Sequence, residues 1–145
     1  MKFLSKACEY GIRGVLHVAT VGREEQYLPV REVAGYLNIS YHFLAKIVQT
    51  LIQEGILNSY RGPNGGVSLA RPADEITLMD IIEAIDGGDF FHECVLGLPG
   101  CGEMKPCPLH NWWKGIREEF VASFSETTVA QLGDSTIKDR LRLAA

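Results

Sequence analysis

A chain of 145 residues, 46% apolar and 22% charged, has the make-up of one globular domain, alone or with an oligomerising arm. Its net charge of −4 argues against a generic polyanion binder, but the charge is unevenly divided: residues 1–75 carry eight Lys or Arg against seven Asp or Glu, and residues 76–145 carry six against eleven. That asymmetry allows a nucleic-acid-binding head on an acidic body.

The N-terminal apolar run is interrupted by Glu9 and Arg13, and neither a signal-peptide core nor a membrane span follows, so the expected compartment is the cytosol. In that reducing setting cysteines serve more often as ligands or reactive thiols than as staples. From Phe3 to Thr20, Leu4, Ala7, Cys8, Gly11, Ile12, Val15, Leu16 and Ala19 recur at steps of three and four, the buried stripe of a helix. Cys8 reads as a small core residue on or beside that stripe. Glu9 and Arg13, four apart, can pair across one turn. Gly22 and the polar run from Arg23 to Gln26 end the helix.

Pro29 suits the start of a second helix, Val30 to Leu37, and Asn38 suits its end. Ser40 can cap a third helix, Tyr41 to Glu54, that stops at Gly55 and carries Leu44, Ile47, Val48, Leu51 and Ile52 at helical spacing. These proportions are those of a helix-turn-helix. Ile56–Arg61 and Val67–Ala70 then read as two strands of a hairpin, with Asn64-Gly65 as its tight turn. Helix, helix and glycine-tipped hairpin is the order of a winged helix-turn-helix, so the predicted fold class is mainly α with a small β-hairpin wing and a long C-terminal helix.

If the third helix enters a major groove, Ser40, Tyr41, His42, Ala45, Lys46 and Gln49 form its reading face. Gln49 suits adenine, Lys46 guanine or phosphate, and His42 a phosphate. The wing tip Gly62, Pro63, Asn64, Gly65 and Gly66 lets backbone N–H groups approach a phosphate, and Arg61 at its base can reach a phosphate or a minor groove.

Thr77 can cap a fourth helix, Leu78 to Ile85, closed by Asp86-Gly87-Gly88. Phe90 and Phe91 read as core or interface aromatics and His92 as solvated. The stretch from Cys94 to His110 holds three cysteines as Cys-x6-Cys-x5-Cys, then a histidine three places on, and its glycines and prolines exclude a helix or central strand. Three thiolates and an imidazole suit an iron–sulfur cluster or a zinc ion. Structural zinc sites pair their ligands as C-x2-4-C, a spacing missing here, which favours the cluster over zinc; a disulfide or free thiols are the plain alternatives.

Asn111 can cap a long helix from Trp112, on which Trp112, Ile116, Phe120 and Phe124 recur every four residues with Trp113 and Val121 beside them. So many large rings on a small body suit a dimerisation helix. Ser125 to Thr128 reads as a break, Val129 to Leu132 as a last turn, and Ser135 to Leu143 as a mobile basic tail. The expected domains are therefore 1–86, a winged helix-turn-helix; 87–110, a cysteine loop; 111–133, a dimerisation helix; and 134–145, a tail.

With Glu9-Tyr10, Pro29 to Ala34, Ser40 to Ile47, Arg61 to Gly66, the cysteine loop and the aromatic helix, the chain resembles the Rrf-type family of winged-helix transcription regulators, among them IscR- and NsrR-like iron–sulfur regulators. The resemblance covers residues 1–133. It implies a homodimer on a palindromic operator of double-stranded DNA, with a cluster whose state, set by iron supply, nitric oxide or oxidation, governs DNA affinity. It also implies that Cys94, Cys101 and Cys107 hold that cluster. His110 sits where the IscR type places its fourth ligand, which favours 2Fe-2S; Glu9 sits where the NsrR type draws a carboxylate from the partner, which favours 4Fe-4S. His110 is preferred, being close to Cys107 in the chain. One departure from the family pattern is a first gap of six residues instead of five, which could displace Cys94.

No C-x-x-C, H-E-x-x-H, phosphate-cradling glycine loop or nucleophile elbow is present, so the chain is not expected to be an enzyme, and no small-molecule substrate is expected. The alternative to a cluster sensor is a winged-helix regulator that senses through thiol oxidation, or a zinc-binding variant.

Overall fold

The computed structural model describes residues 3–22 and 26–145. The polar run expected to end the first helix falls partly on residues 23–25, outside the described residues. Among the described residues the order is α1 (Lys6–Val21), α2 (Val30–Leu37), α3 (Tyr41–Gln53), β1 (Leu57–Tyr60), β2 (Gly66–Leu69), α4 (Leu78–Asp86), α5 (His110–Glu126) and α6 (Val129–Lys138). Single 3-10 turns occupy Ala73–Glu75 and Asp89–Phe91. The winged helix-turn-helix read from the sequence is thus the fold of the chain. None of its described helices is long and apolar enough to cross a membrane.

α1 is the axis of the molecule, because α2, α3, α4, α6 and β2 all pack on it. Cys8, Gly11, Val15 and Leu16 are buried as the periodicity requires, and Gly14, His17 and Val18 are buried as well. The glycine at 11 permits the close approach of α4: a Cβ there would stand 2.2 Å from Ile85 Cδ1. α2 ends on Asn38 in the left-handed conformation (φ 57°, ψ 48°), and the Ser40 hydroxyl caps α3 by accepting the Phe43 N–H at 3.1 Å. Leu44, Ile47, Val48 and Leu51 of α3 join Val15, Val33 and Val67 in the main core.

The wing differs from its predicted turn. β1 and β2 pair antiparallel with Tyr60 opposite Gly66, which leaves a five-residue tip, 61–65. Within it the Gly65 N–H donates to Gly62 O at 3.0 Å, so Pro63 and Asn64 occupy the corners of the turn. Asn64 does not take positive φ, whereas a two-residue Asn-Gly turn would require it. Proline at the first corner, with its fixed φ, selects the unprimed geometry. A reciprocal pair of hydrogen bonds between Leu28 and Val67 (2.8 and 2.9 Å) ties the wing to the residues that lead into α2.

α4 begins in a capping box between Thr77 and Asp80, and α6 in a second one between Thr128 and Gln131. The two starts are bridged, Leu78 N–H to Thr127 O and Val129 N–H to Ile76 O, both at 2.8 Å. α5 is therefore an excursion that leaves the body after α4 and returns beside it, and none of its residues is buried.

Three C-terminal expectations are corrected. α5 starts at His110 with Leu109 in the capping position and no side-chain cap, so Asn111 lies inside the helix. The turn that bonds His110 N–H to Cys107 O has already brought the chain into helical register. The last turn expected over Val129–Leu132 is a ten-residue helix, because Val129 is buried and Leu132 packs on the core. The tail is docked in part: Leu143 packs on the core and its carbonyl accepts from Arg13 Nε.

Candidate functional site

The cysteine segment is a succession of turns. Gly97 N–H bonds Cys94 O (3.0 Å), Cys101 N–H bonds Leu98 O (3.3 Å), Lys105 N–H bonds Gly102 O (3.2 Å) and His110 N–H bonds Cys107 O (3.1 Å). Gly97 and Gly100 both take φ near +70°, where a side chain would be strained. Two of these turns fold up the six-residue first gap, so the extra residue does not carry Cys94 away. The three Sγ atoms lie within 4.8 Å of one another, and those of Cys94 and Cys107 are 3.6 Å apart.

His110 stands beside them in the first turn of α5. Its Nδ1 is 3.7 Å from Cys101 Sγ, and its Nε2 is 3.5 Å from the Glu103 carboxylate, which accepts from Lys114 Nζ at 2.5 Å. One ring nitrogen toward the sulfurs and the other toward a carboxylate is the arrangement that fixes the tautomer of metal-binding histidines. Lys114, then His110, hold the Glu103 carboxyl below its usual range, and Glu103 in turn raises Lys114. The N-terminus of α5 adds the positive end of a helix dipole. Glu9, on the first turn of α1, is not among the groups that gather there.

The wall of the pocket includes Trp113 and Arg117, neither singled out from the sequence as part of this site. Trp113 Nε1 donates to Glu93 O at 2.9 Å, and an Arg117 terminal nitrogen donates to Phe91 O at 3.2 Å. Arg117 Nε is buried and, among the described residues, is the buried side-chain nitrogen or oxygen without a partner. An orphaned buried donor costs about 1–3 kcal/mol. A cationic side chain that lines the pocket of the three thiols suits an anionic, sulfur-rich guest, and the donor set of three sulfurs and an imidazole suits an iron–sulfur cluster.

The thiols are not equivalent. Cys94 is lowered to about 7, first by the backbone N–H of Leu98 and further by Leu96 and the neighbouring thiols, against the effect of burial. Cys101 is raised: the backbone of Cys107 pulls it down, but burial and the adjacent thiols Cys94 and Cys107 outweigh that. Cys8 is pushed up to about 12 by burial and then by Asp86. In metal-free, reduced protein near pH 7.5, mass spectrometry should find Cys94 alkylated first and Cys8 unmodified until the chain unfolds, since the thiolate is the nucleophile. Equal labelling of Cys8 and Cys94 would contradict this ordering.

On the other functional surface, His42, Lys46 and Gln49 are exposed along one stripe of α3. Ser40 is committed to its cap, and Tyr41 is half-buried beneath Arg31, whose guanidinium lies 4.3 Å from the ring centre. Arg31 thereby joins the predicted reading face from α2, which its sequence position did not signal. Arg61, Gly62, Pro63 and Asn64 are exposed on the wing. Gly65 and Gly66 are half-buried and have a packing reason of their own: a Cβ would stand 2.3 Å from Tyr60 O at the first and 2.2 Å from Leu28 O at the second.

Residues 4–135 match the Rrf2 family, described as iron-dependent transcriptional regulators. The chain belongs to the Rrf2 family. Among its relatives is the HTH-type transcriptional regulator IscR of Serratia proteamaculans, 29% identical over 132 residues, which are 91% of this chain and 79% of that protein. Of solved structures, CymR, the global cysteine regulator of B. subtilis, has a TM-score of 0.79 at 26% identity over 94% of this chain and 99% of that one. IscR of T. potens shares the fold with a TM-score of 0.76 at 20% identity, over 98% and 93% of the two chains. This Rrf2 chain is accordingly a transcriptional regulator and not an enzyme.

Proposed function

We propose that this Rrf2 regulator is a homodimer that reads a palindromic DNA operator and senses iron–sulfur status, nitric oxide or redox state through a cluster held by Cys94, Cys101, Cys107 and His110. The observation that carries the reading is the convergence of three thiols within 4.8 Å, with the His110 Nδ1 3.7 Å from one of them. A 2Fe-2S cluster is favoured, because His110 completes the donor set from the same chain; Glu9 of a second copy is the route to a 4Fe-4S cluster. When bound, the cluster supplies a core that gains or loses an electron and reacts with nitric oxide. The chain's own part is to hold His110 in one tautomer through Glu103, and to place the cysteine turns directly ahead of α5.

In the DNA-bound form, His42, Lys46 and Gln49 face the major groove, while Arg61 and the exposed wing tip Gly62-Pro63-Asn64 take the backbone or minor groove. Two such heads reach half-sites about one helical turn, roughly 34 Å, apart. The proposed dimer surface is α5, where Trp113, Phe120 and Phe124 face aromatic partners of their own chain and Trp112 remains 60% exposed. Replacement Trp112→Ala should weaken dimerisation about 30-fold, the effect of losing a central aromatic anchor worth about 2 kcal/mol. Sedimentation equilibrium measures it, and an unchanged dimer constant would move the interface elsewhere.

The test of the sensing reading is oxygen-free purification, a count of iron and acid-labile sulfide per chain, and gel shift with the chain's own promoter before and after cluster removal. Mössbauer spectra of His110→Ala and Glu9→Ala decide the fourth ligand. Iron-free protein that binds its promoter at full strength would end this reading.

A second reading is favoured by the 3.6 Å between Cys94 and Cys107 and the lowered Cys94. Two thiols would give two electrons and two protons to an oxidant such as a peroxide, and a disulfide would form between them. A zinc-binding variant would use the same donor atoms.

A further inference from the structure

Arg117 lies seven residues after His110 on α5, two helical turns on, so the two residues share one face of the helix. Both line the pocket formed by Cys94, Cys101 and Cys107. One terminal nitrogen of the guanidinium donates to the carbonyl of Phe91 at 3.2 Å, and Phe91 is a core residue, 6% exposed. The guanidinium is therefore clamped at one end to the body of the protein, while its Nε–H is buried without a partner.

Proteins pair nearly all of their buried donors, and an exception calls for a reason, among which are a redox role and an absent ion. Arginine keeps its charge under burial, and its planar fork holds a donor at a defined angle once one end is fixed. The other cation of the α5 face, Lys114, is engaged with Glu103 in solvent. Three thiolates outweigh the positive charge of a small oxidised iron–sulfur core, and reduction adds a further electron to a group already negative. Hydrogen bonds to cluster sulfurs and nearby positive charge both raise reduction potentials.

We propose that Arg117 is a positioning residue of the metal centre: its buried Nε–H donates to a sulfur of the bound cluster and stabilises the cluster's one-electron-reduced form. This inference rests on the cluster reading given above. It adds a redox set point supplied from α5, the helix proposed to pair the two copies, so the electron state of the loop is linked to the dimer helix by a second side chain besides His110.

The experiment uses full-length protein isolated without oxygen, titrated with dithionite through mediators and followed by EPR. Arg117→Met keeps the unbranched stem and puts a methyl where Nε stands, so it removes the charge and the Nε–H together with the bond to Phe91 O. It should bind the same iron per chain, with the ratio of reduced to oxidised cluster at a fixed poise about tenfold lower, a fall of ~59 mV for one electron. An Arg117→Met protein with normal iron and an unchanged potential overturns the inference and leaves the cluster reading intact. Wild-type chain labelled with 15N in arginine alone provides an arm independent of any variant's folding. Its reduced cluster should show a weak 15N coupling by pulsed EPR, and absence of that coupling overturns the inference. Wild-type protein without iron overturns the cluster reading and this inference together, and the iron assay identifies that case before any titration.

Discussion

Cys101→Ser protein, prepared without oxygen, is expected to retain less than about one hundredth of the wild-type affinity for its cluster. Loss of a group that merely orients a metal ligand costs about 10–100-fold, and Cys101 is proposed as a ligand, so the effect should reach at least the upper end of that range. The sulfurs of Cys94, Cys101 and Cys107 lie within 4.8 Å of one another, and Cys101 is the one beside His110 Nδ1. Its removal takes away one sulfur and isolates the imidazole from the other two. Promoter affinity in gel shift, which should differ about 5–150-fold between loaded and unloaded wild type, should become insensitive to iron in the variant. The substitution also separates the two readings. A disulfide between Cys94 and Cys107, 3.6 Å apart, does not need Cys101. If Cys101→Ser still loses DNA affinity on peroxide treatment and regains it with dithiothreitol, thiol chemistry is the sensor; if it answers to neither iron nor peroxide, the cluster is.

Gly66→Ala should lower stability by about 3 kcal/mol, toward the upper end of what overpacking costs, and should abolish operator binding. The added methyl would stand 2.2 Å from Leu28 O, 2.3 Å from Leu28 C and 2.6 Å from Pro29 N. All three are backbone atoms, so no rotamer change relieves the clash. Relief requires breaking the paired hydrogen bonds between Leu28 and Val67, which hold the wing against the approach to α2. Helical circular dichroism should survive because the α1, α3 and α4 core is untouched, while the melting temperature should fall by roughly 10 °C for a chain of this size. A shift of less than about 2 °C would mean that the wing adapts freely. Gly62→Ala is the informative comparison: it shares the positive φ of Gly66 (139° against 157°), but its nearest neighbour is the Tyr60 ring at 3.4 Å, so the difference between the two variants isolates the backbone clash from the backbone strain.

The helices that build the DNA-binding head are legible in the sequence because each is announced by local chemistry. Ser40 and Thr77 cap where a short hydroxyl side chain precedes an apolar stripe, Asn38 ends α2 in a conformation few other residues accept, and Leu44, Ile47, Val48 and Leu51 bury the face that their spacing dictates. The wing lies where its two strands predict it, but its turn type differs, because Asn-Gly is a strong signal only when nothing upstream overrides it; Pro63 does. The C-terminal third is less legible. Its pattern points to an aromatic helix, yet nothing local says that Thr77 and Thr128 begin two helices side by side, or that Val129 fills a core site and extends α6 to Lys138.

From the order of its residues alone, this chain specifies a winged helix-turn-helix, a proline- and glycine-broken loop and three cysteines with a histidine, because caps, periodicity and breakers act over a few residues. Only the tertiary structure decided that the six-residue gap folds up, that His110 turns Nδ1 toward sulfur and Nε2 toward Glu103, and that Arg117, which lines the thiol pocket, keeps one buried N–H without an acceptor. Those outcomes depend on where α5 leaves the body and returns to it, a position set by long-range packing that no window of sequence contains.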